Sequence, residues 1–137
     1  MAALPFSHSR NPNGQAARYA QVGLQTQVGS ASPTQLIGLL LAGACADVAR
    51  AKLFFEQGDV AARGQAISHA LSIVREGLIA ALDTRQGEIA QQLRHHYEVT
   101  CYWLLRANRE QSPEKLEHAN KLLSDMRQIW QEATQGK

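Results

Sequence analysis

Five histidines and two cysteines are the side chains of this 137-residue sequence most able to ligate a metal or act as nucleophile or base. A metal site on a helix needs two ligands one turn apart, at i and i+4, so that both face the same ion. His95 and His96 are adjacent, about 100° apart around a helix, and cannot chelate together. No histidine has a glutamate three residues before it, so the carboxylate-histidine pattern of diiron bundles is missing as well. Neither a metal nor another cofactor is expected. His69 raises phosphoryl relay as a second chemistry, but a histidine phosphotransfer domain usually follows its histidine closely with a Lys-Gly step. Here the chain reads His69-Ala70-Leu71-Ser72-Ile73, and a solvated or half-buried histidine is the simpler reading. Cys45 and Cys101 have no activating charge evident beside them and sit in apolar helical patterns, as buried free thiols of a reducing compartment do. No catalytic residue and no enzymatic activity are expected.

The elements that would position these side chains are helices. Ser32, Pro33 and Gln35 combine an N-cap, a proline at the first helical position and a capping box. The helix they open is predicted to reach about Gln57 through Leu36, Leu39, Leu40, Ala44, Val48, Ala51 and Phe55, spaced by three and four residues. Gly58 stops it and Asp59 caps the next, which runs from Val60 to Leu82 with Ile67, Ala70, Leu71, Val74, Leu78, Ala81 and Leu82 on its apolar face. Asp83-Thr84-Arg85-Gln86 offers a further cap, opening a helix to Arg109 through Ile89, Leu93, Tyr97, Leu104 and Ala107. Ser112-Pro113 repeats the cap-and-proline device before Leu116, Ala119, Leu122, Leu123, Met126, Ile129 and Trp130. Short connections favour antiparallel neighbours, so the predicted fold is all-α, an up-down four-helix bundle.

Ahead of the bundle, residues 1–15 are rich in Pro, Asn and Gly and are expected to form a flexible arm; 16–28 could add a short helix whose narrow apolar stripe depends on docking. The domain is expected to span 16–133, with 134–137 as a tail. Gly38, Gly43 and Gly77 fall inside helical patterns, where each costs about 1 kcal/mol relative to alanine. They suit either a surface on which a bound backbone lies close or, more simply, close packing between helices of the bundle.

Composition narrows the partner. Hydrophobic residues make up 45% and charged residues 19%, a globular rather than a disordered balance. Fourteen basic and twelve acidic side chains leave a formal charge of +2, too little to favour nucleic acid or an anionic membrane. No apolar run has the length of a signal peptide or of a membrane span, so neither secretion nor membrane insertion is expected.

Read in order, Tyr19-Ala20-Gln21-Val22-Gly23, Ser30-Ala31-Ser32-Pro33 before Leu36, Gly43, Leu82-Asp83 ahead of Gly87-Glu88, Leu93, Tyr97, Leu104, Ala107-Asn108 and Trp130 resemble the FliS family of flagellin export chaperones. The likeness covers about four-fifths of the chain. It implies a cytoplasmic chaperone that binds the disordered C-terminal region of flagellin, prevents early polymerisation and delivers it for type III export, with the export apparatus or a co-chaperone as further partner. It also implies that the segment with Tyr19 and Val22 lies over part of the binding surface, near Leu36, Leu40, Gly43, Leu104 and Asn108. For the leucines, plain core is the competing reading. Two positions depart from the family pattern. Leu41-Ala42 replace an aromatic residue and an aspartate before Gly43, and His96 stands where leucine commonly precedes Tyr97. A scaffold for a different export or regulatory protein remains the other binding function open to such a bundle.

Overall fold

The computed structural model describes residues 31–83 and 87–135. The arm, the short helix predicted over 16–28, and Tyr19 and Val22 lie outside these residues. Four helices form an antiparallel ring: α1 (Pro33–Gln57), α2 (Val60–Ser72) continued by a π-helical segment (Ile73–Ile79), α3 (Glu88–Arg109) and α4 (Pro113–Gln135). Each helix packs on the next, and α1 closes the ring against α4. Among the described residues there is no strand, and no helix is long and apolar enough to cross a membrane.

The helix ends follow from local chemistry. Ser32 Oγ accepts from the Gln35 amide, while the Gln35 side chain accepts from the Ser32 amide, which completes the capping box. Gly58 ends α1 at φ 71°, ψ 19°, a left-handed conformation that costs glycine nothing, and its N–H returns to the carbonyls of Phe54 and Phe55. Asp59 then accepts from the Ala62 amide and starts α2. At the other corner the Ser112 hydroxyl accepts from the Lys115 amide ahead of α4.

Two boundaries differ from the sequence expectation. The second helix does not run as one α-helix to Leu82: from Ile73 it widens into a π-helix that ends at Ile79. β-Branched Ile73 and Val74 followed by Gly77 give the α form little local advantage, and burial of Ile73, Val74 and Leu78 takes precedence. The third helix starts at Glu88, not just after Asp83. Its N-cap is Gly87 at φ 92°, ψ −149°, a backbone conformation open mainly to glycine. The fourth helix ends at Gln135.

The core consists of Leu40, Leu41, Ala44, Val48, Ile67, Ile73, Val74, Leu78, Leu104, Leu116 and Leu123 with their neighbours. Of the predicted stripes, Ala81, Ile89 and Ile129 are instead exposed. Polar groups inside are few. Asp47, 2% exposed, accepts from Arg50 and faces Nδ1 of His69 on α2. Arg63, 7% exposed, stacks its guanidinium over Phe55 at 4.8 Å, so an aromatic face takes up part of a buried cation.

Candidate functional site: a groove between the first and last helices

Small side chains recur along one side of α1 at Gly38, Ala42, Cys45 and Ala49, at spacings of four, three and four residues. Residues so spaced share one helix face. With little bulk there, α1 and α4 leave a trough between them. At its first end Trp130 spans the gap. The indole Nε1–H donates to the Thr34 carbonyl at 3.3 Å, and a Cβ placed on Gly38 would lie 3.5 Å from Nε1. Around it opens a depression of about 630 Å³ lined by Ala31, Ser32, Thr34, Gln35, Gly38, Leu39, Ala42, Arg127, Trp130, Gln131 and Thr134. Among the described residues, Arg127 is the only ionised side chain in this lining.

Further along the same seam, a second depression of about 420 Å³ lies between Val48, Ala49 and Lys52 of α1 and Pro113, Glu114, Leu116, Glu117 and Asn120 of α4. Lys52 bridges to Glu117 at 3.2 Å, and Asn120 donates to the same carboxylate at 2.7 Å. The hydrogen bond from Asn120, followed by that from Lys52, holds the Glu117 pKa below the ordinary carboxylate value. Trp130 also lines a third hollow, about 460 Å³, at the open end of the bundle with Ile37, Leu78, Leu82, Ile89, Leu93 and Tyr97. Ile89 there is 72% exposed. Two of the depressions lie in turn along the α1–α4 seam, and Trp130 stands between the first and the hollow at the end of the bundle.

Among the described residues, the chemically able side chains do not meet in a reaction centre. Burial pushes the thiols of Cys45 and Cys101 up, outweighing the pull of Arg127 on the first and of Arg75 on the second, so both stay protonated at neutral pH. The rings of His95 and His96 stand 6.2 Å apart, tilted and exposed. His118 stacks on Trp103 at 4.5 Å, and His69 is held against Asp47 with a fifth of its side chain exposed. Among the described residues no group of three His, Cys, Asp or Glu is arranged to hold a metal ion.

Of the partner-binding residues suggested by sequence, the five among the described residues do not share one groove. Leu40 (2% exposed) and Leu104 (fully buried) are core. Leu36 is half-buried against that core, and Gly43 is half-buried too. Gly43 stands four residues and Leu36 eleven before Asp47, so both share the side of α1 that meets His69 on α2. Gly38 is nine residues from Asp47, half a turn round, on the side that meets Trp130. Asn108 sits at the far end of α3, its Oδ1 3.8 Å from where a Cβ on Gly64 would be. Sequence reasoning missed Arg127, Ala42, Ala49, Lys52 and Asn120. The small-residue spacing along α1 was the available signal for this face.

Comparison with known proteins gives the same assignment throughout. The family model described as flagellar protein FliS matches residues 15–137. A flagellar secretion chaperone FliS of Salmonella typhimurium is 44% identical over 115 residues, covering 83% of this chain and 85% of its own length. The flagellar secretion chaperone FliS of Escherichia coli K12 is 31% identical over 116 residues (84% and 85%). That of Pseudomonas aeruginosa, FliSB, is 33% identical over 114 residues (82% and 90%). With a ring of four helices in place and a family match across almost all of its length, the chain belongs to the FliS family of flagellar proteins.

Proposed function

We propose that this protein is a cytoplasmic flagellar secretion chaperone that receives the disordered C-terminal region of flagellin, keeps it from polymerising and passes it on for type III export. The observation that carries this reading is the pair of open depressions along the α1–α4 seam, with a third beyond Trp130. The pair is floored by small apolar side chains and has the extended form needed by a segment that folds as it binds. An amphipathic helix lays its i, i+3, i+4, i+7 anchors into such a trough, and covering those anchors blocks self-association. Ordering the guest costs several kcal/mol, so a long wrapped contact is required for useful affinity.

On this reading Leu36, Gly43 and Asn108 supply a second line of contact on the α2 side, with Leu40 and Leu104 forming the packed floor beneath. The segment bearing Tyr19 and Val22 covers part of the surface until flagellin arrives. The face bounded by Arg75, Arg94, Tyr102 and Leu105 is left for the export apparatus or a co-chaperone.

Calorimetric titration with a peptide of the flagellin C-terminal region tests the reading. Saturable one-to-one binding with a negative heat-capacity change is expected. Ala49→Arg, placed on the exposed rim of the groove, is expected to weaken it at least about tenfold, the loss of roughly 1.4 kcal/mol from an obstructed anchor. Absence of binding by the folded chain, also after deletion of residues 1–24, would remove flagellin as the partner. Unchanged affinity after that deletion counts against the self-cap.

A further inference from the structure

The α1–α4 groove is electrically polar along its length. At the Trp130 end the lining carries one ionised side chain, Arg127, which is exposed and makes no ion pair among the described residues. At the opposite end Lys52 and Glu117 neutralise each other across the seam, which leaves Glu114 as the uncompensated charge. Because α1 and α4 run antiparallel, their macrodipoles offset within the groove, and these two side chains decide its polarity. Thirteen residues of α4 separate them, about 20 Å at 1.5 Å per residue, the length of a guest helix of some three and a half turns.

A bound helix presents a positive end at its N-terminus and a negative one at its C-terminus. We infer that the guest lies parallel to α4, its N-terminal turn beside Glu114 and its C-terminal turn beside Arg127. The groove therefore selects amphipathic segments that carry negative charge toward the C-terminal end of the docked helix. This rests on the chaperone reading above and adds to it the direction of docking and the charge pattern preferred in the cargo. The apolar anchors supply affinity, and the two charges choose between the two directions in which the same apolar stripe could lie.

The test uses the full-length protein and a flagellin C-terminal peptide carrying a nitroxide at one end or the other of its docking helix. The indole N–H of Trp130 reports on the Arg127 end, and the backbone amide of Asn120 on the Glu114 end. The indole of Trp103, stacked on His118 away from the seam, serves as internal reference. A C-terminal label is expected to broaden Trp130 selectively and an N-terminal label Asn120. The reverse pattern, or equal broadening at both ends, overturns the inference while leaving the chaperone reading intact. No binding at all defeats both. Arg127→Gln is expected to weaken binding about two- to fivefold at low salt, the reach of one helix-end charge, with the difference fading at high salt. A peptide with its C-terminal acidic residues neutralised is expected to lose the same factor on the unaltered protein and nothing further on the variant; a full further loss would overturn the pairing with Arg127.

Discussion

Single side chains separate the groove from the core beneath it. At Gly38 an added Cβ meets only ordinary contact with Trp130, at 3.5 and 3.6 Å. Gly38→Ala is therefore expected to raise stability by about 0.5–1 kcal/mol through helix propensity, read as a higher denaturation midpoint. Leu104 is fully buried, so Leu104→Ala is expected to cost about 2–5 kcal/mol whatever it does to binding, by the same measurement. Tyr97, like the two cysteines, has its pKa raised by burial. A raised folded value means that the stability these groups contribute is complete below their ordinary values, about 8.5 for thiol and 10 for phenol, and is lost as pH rises through the folded ones. Alkaline unfolding monitored by tyrosinate absorbance is expected to begin above that range, with both thiols unreactive toward disulfide reagents at neutral pH. What sequence could not supply at this scale was Asp47. An aspartate on an apolar helix reads as solvent-facing, and its burial is compensated by Arg50 one turn on and by the approach of His69 from α2.

Helix boundaries were readable where a local motif determines them. Ser32-Pro33-Gln35, Gly58-Asp59 and Ser112-Pro113 act within three or four residues of chain, and the four helix ends they govern stand where those motifs put them. Ser32→Ala is expected to cost about 1 kcal/mol in chemical denaturation through loss of the cap. The start of α3 was misplaced because Asp83 looked like a cap, whereas the conformation at Gly87 is what allows the chain to enter the helix. The π-helical segment has no local signature of its own; it follows from fitting Ile73, Val74 and Leu78 between α1 and α3 at once. At the α3–α4 corner Glu110 accepts from Arg106 and from Lys115, and these hydrogen bonds hold its pKa down to about 2. A lowered carboxyl value contributes above the ordinary value and is lost as pH falls through the folded one. Amide signals of residues 110–115 are accordingly expected to titrate near pH 2, well below an ordinary glutamate.

For the molecule as a whole, helix count, order and antiparallel sense were legible from apolar periodicity and short turns. Which faces of α1 meet which neighbours was not, since apolar and small residues run unbroken from Leu36 to Ala46 and so surround the helix, allowing several closures of the ring. The pairing of α1 with α4 spans the greatest distances along the chain: Lys52 and Glu117 are 65 residues apart, and Trp130 and Thr34 are 96. The other neighbouring helices are joined by short connections, so their contacts require far smaller loops. In kinetic terms the seam is expected to form after the hairpins and to contribute little to the folding transition state. Trp130→Ala would then speed unfolding by nearly its whole destabilisation and leave the refolding rate almost unchanged. The surface offered to cargo would be the last part of the protein to close during folding and the first to breathe in the native state.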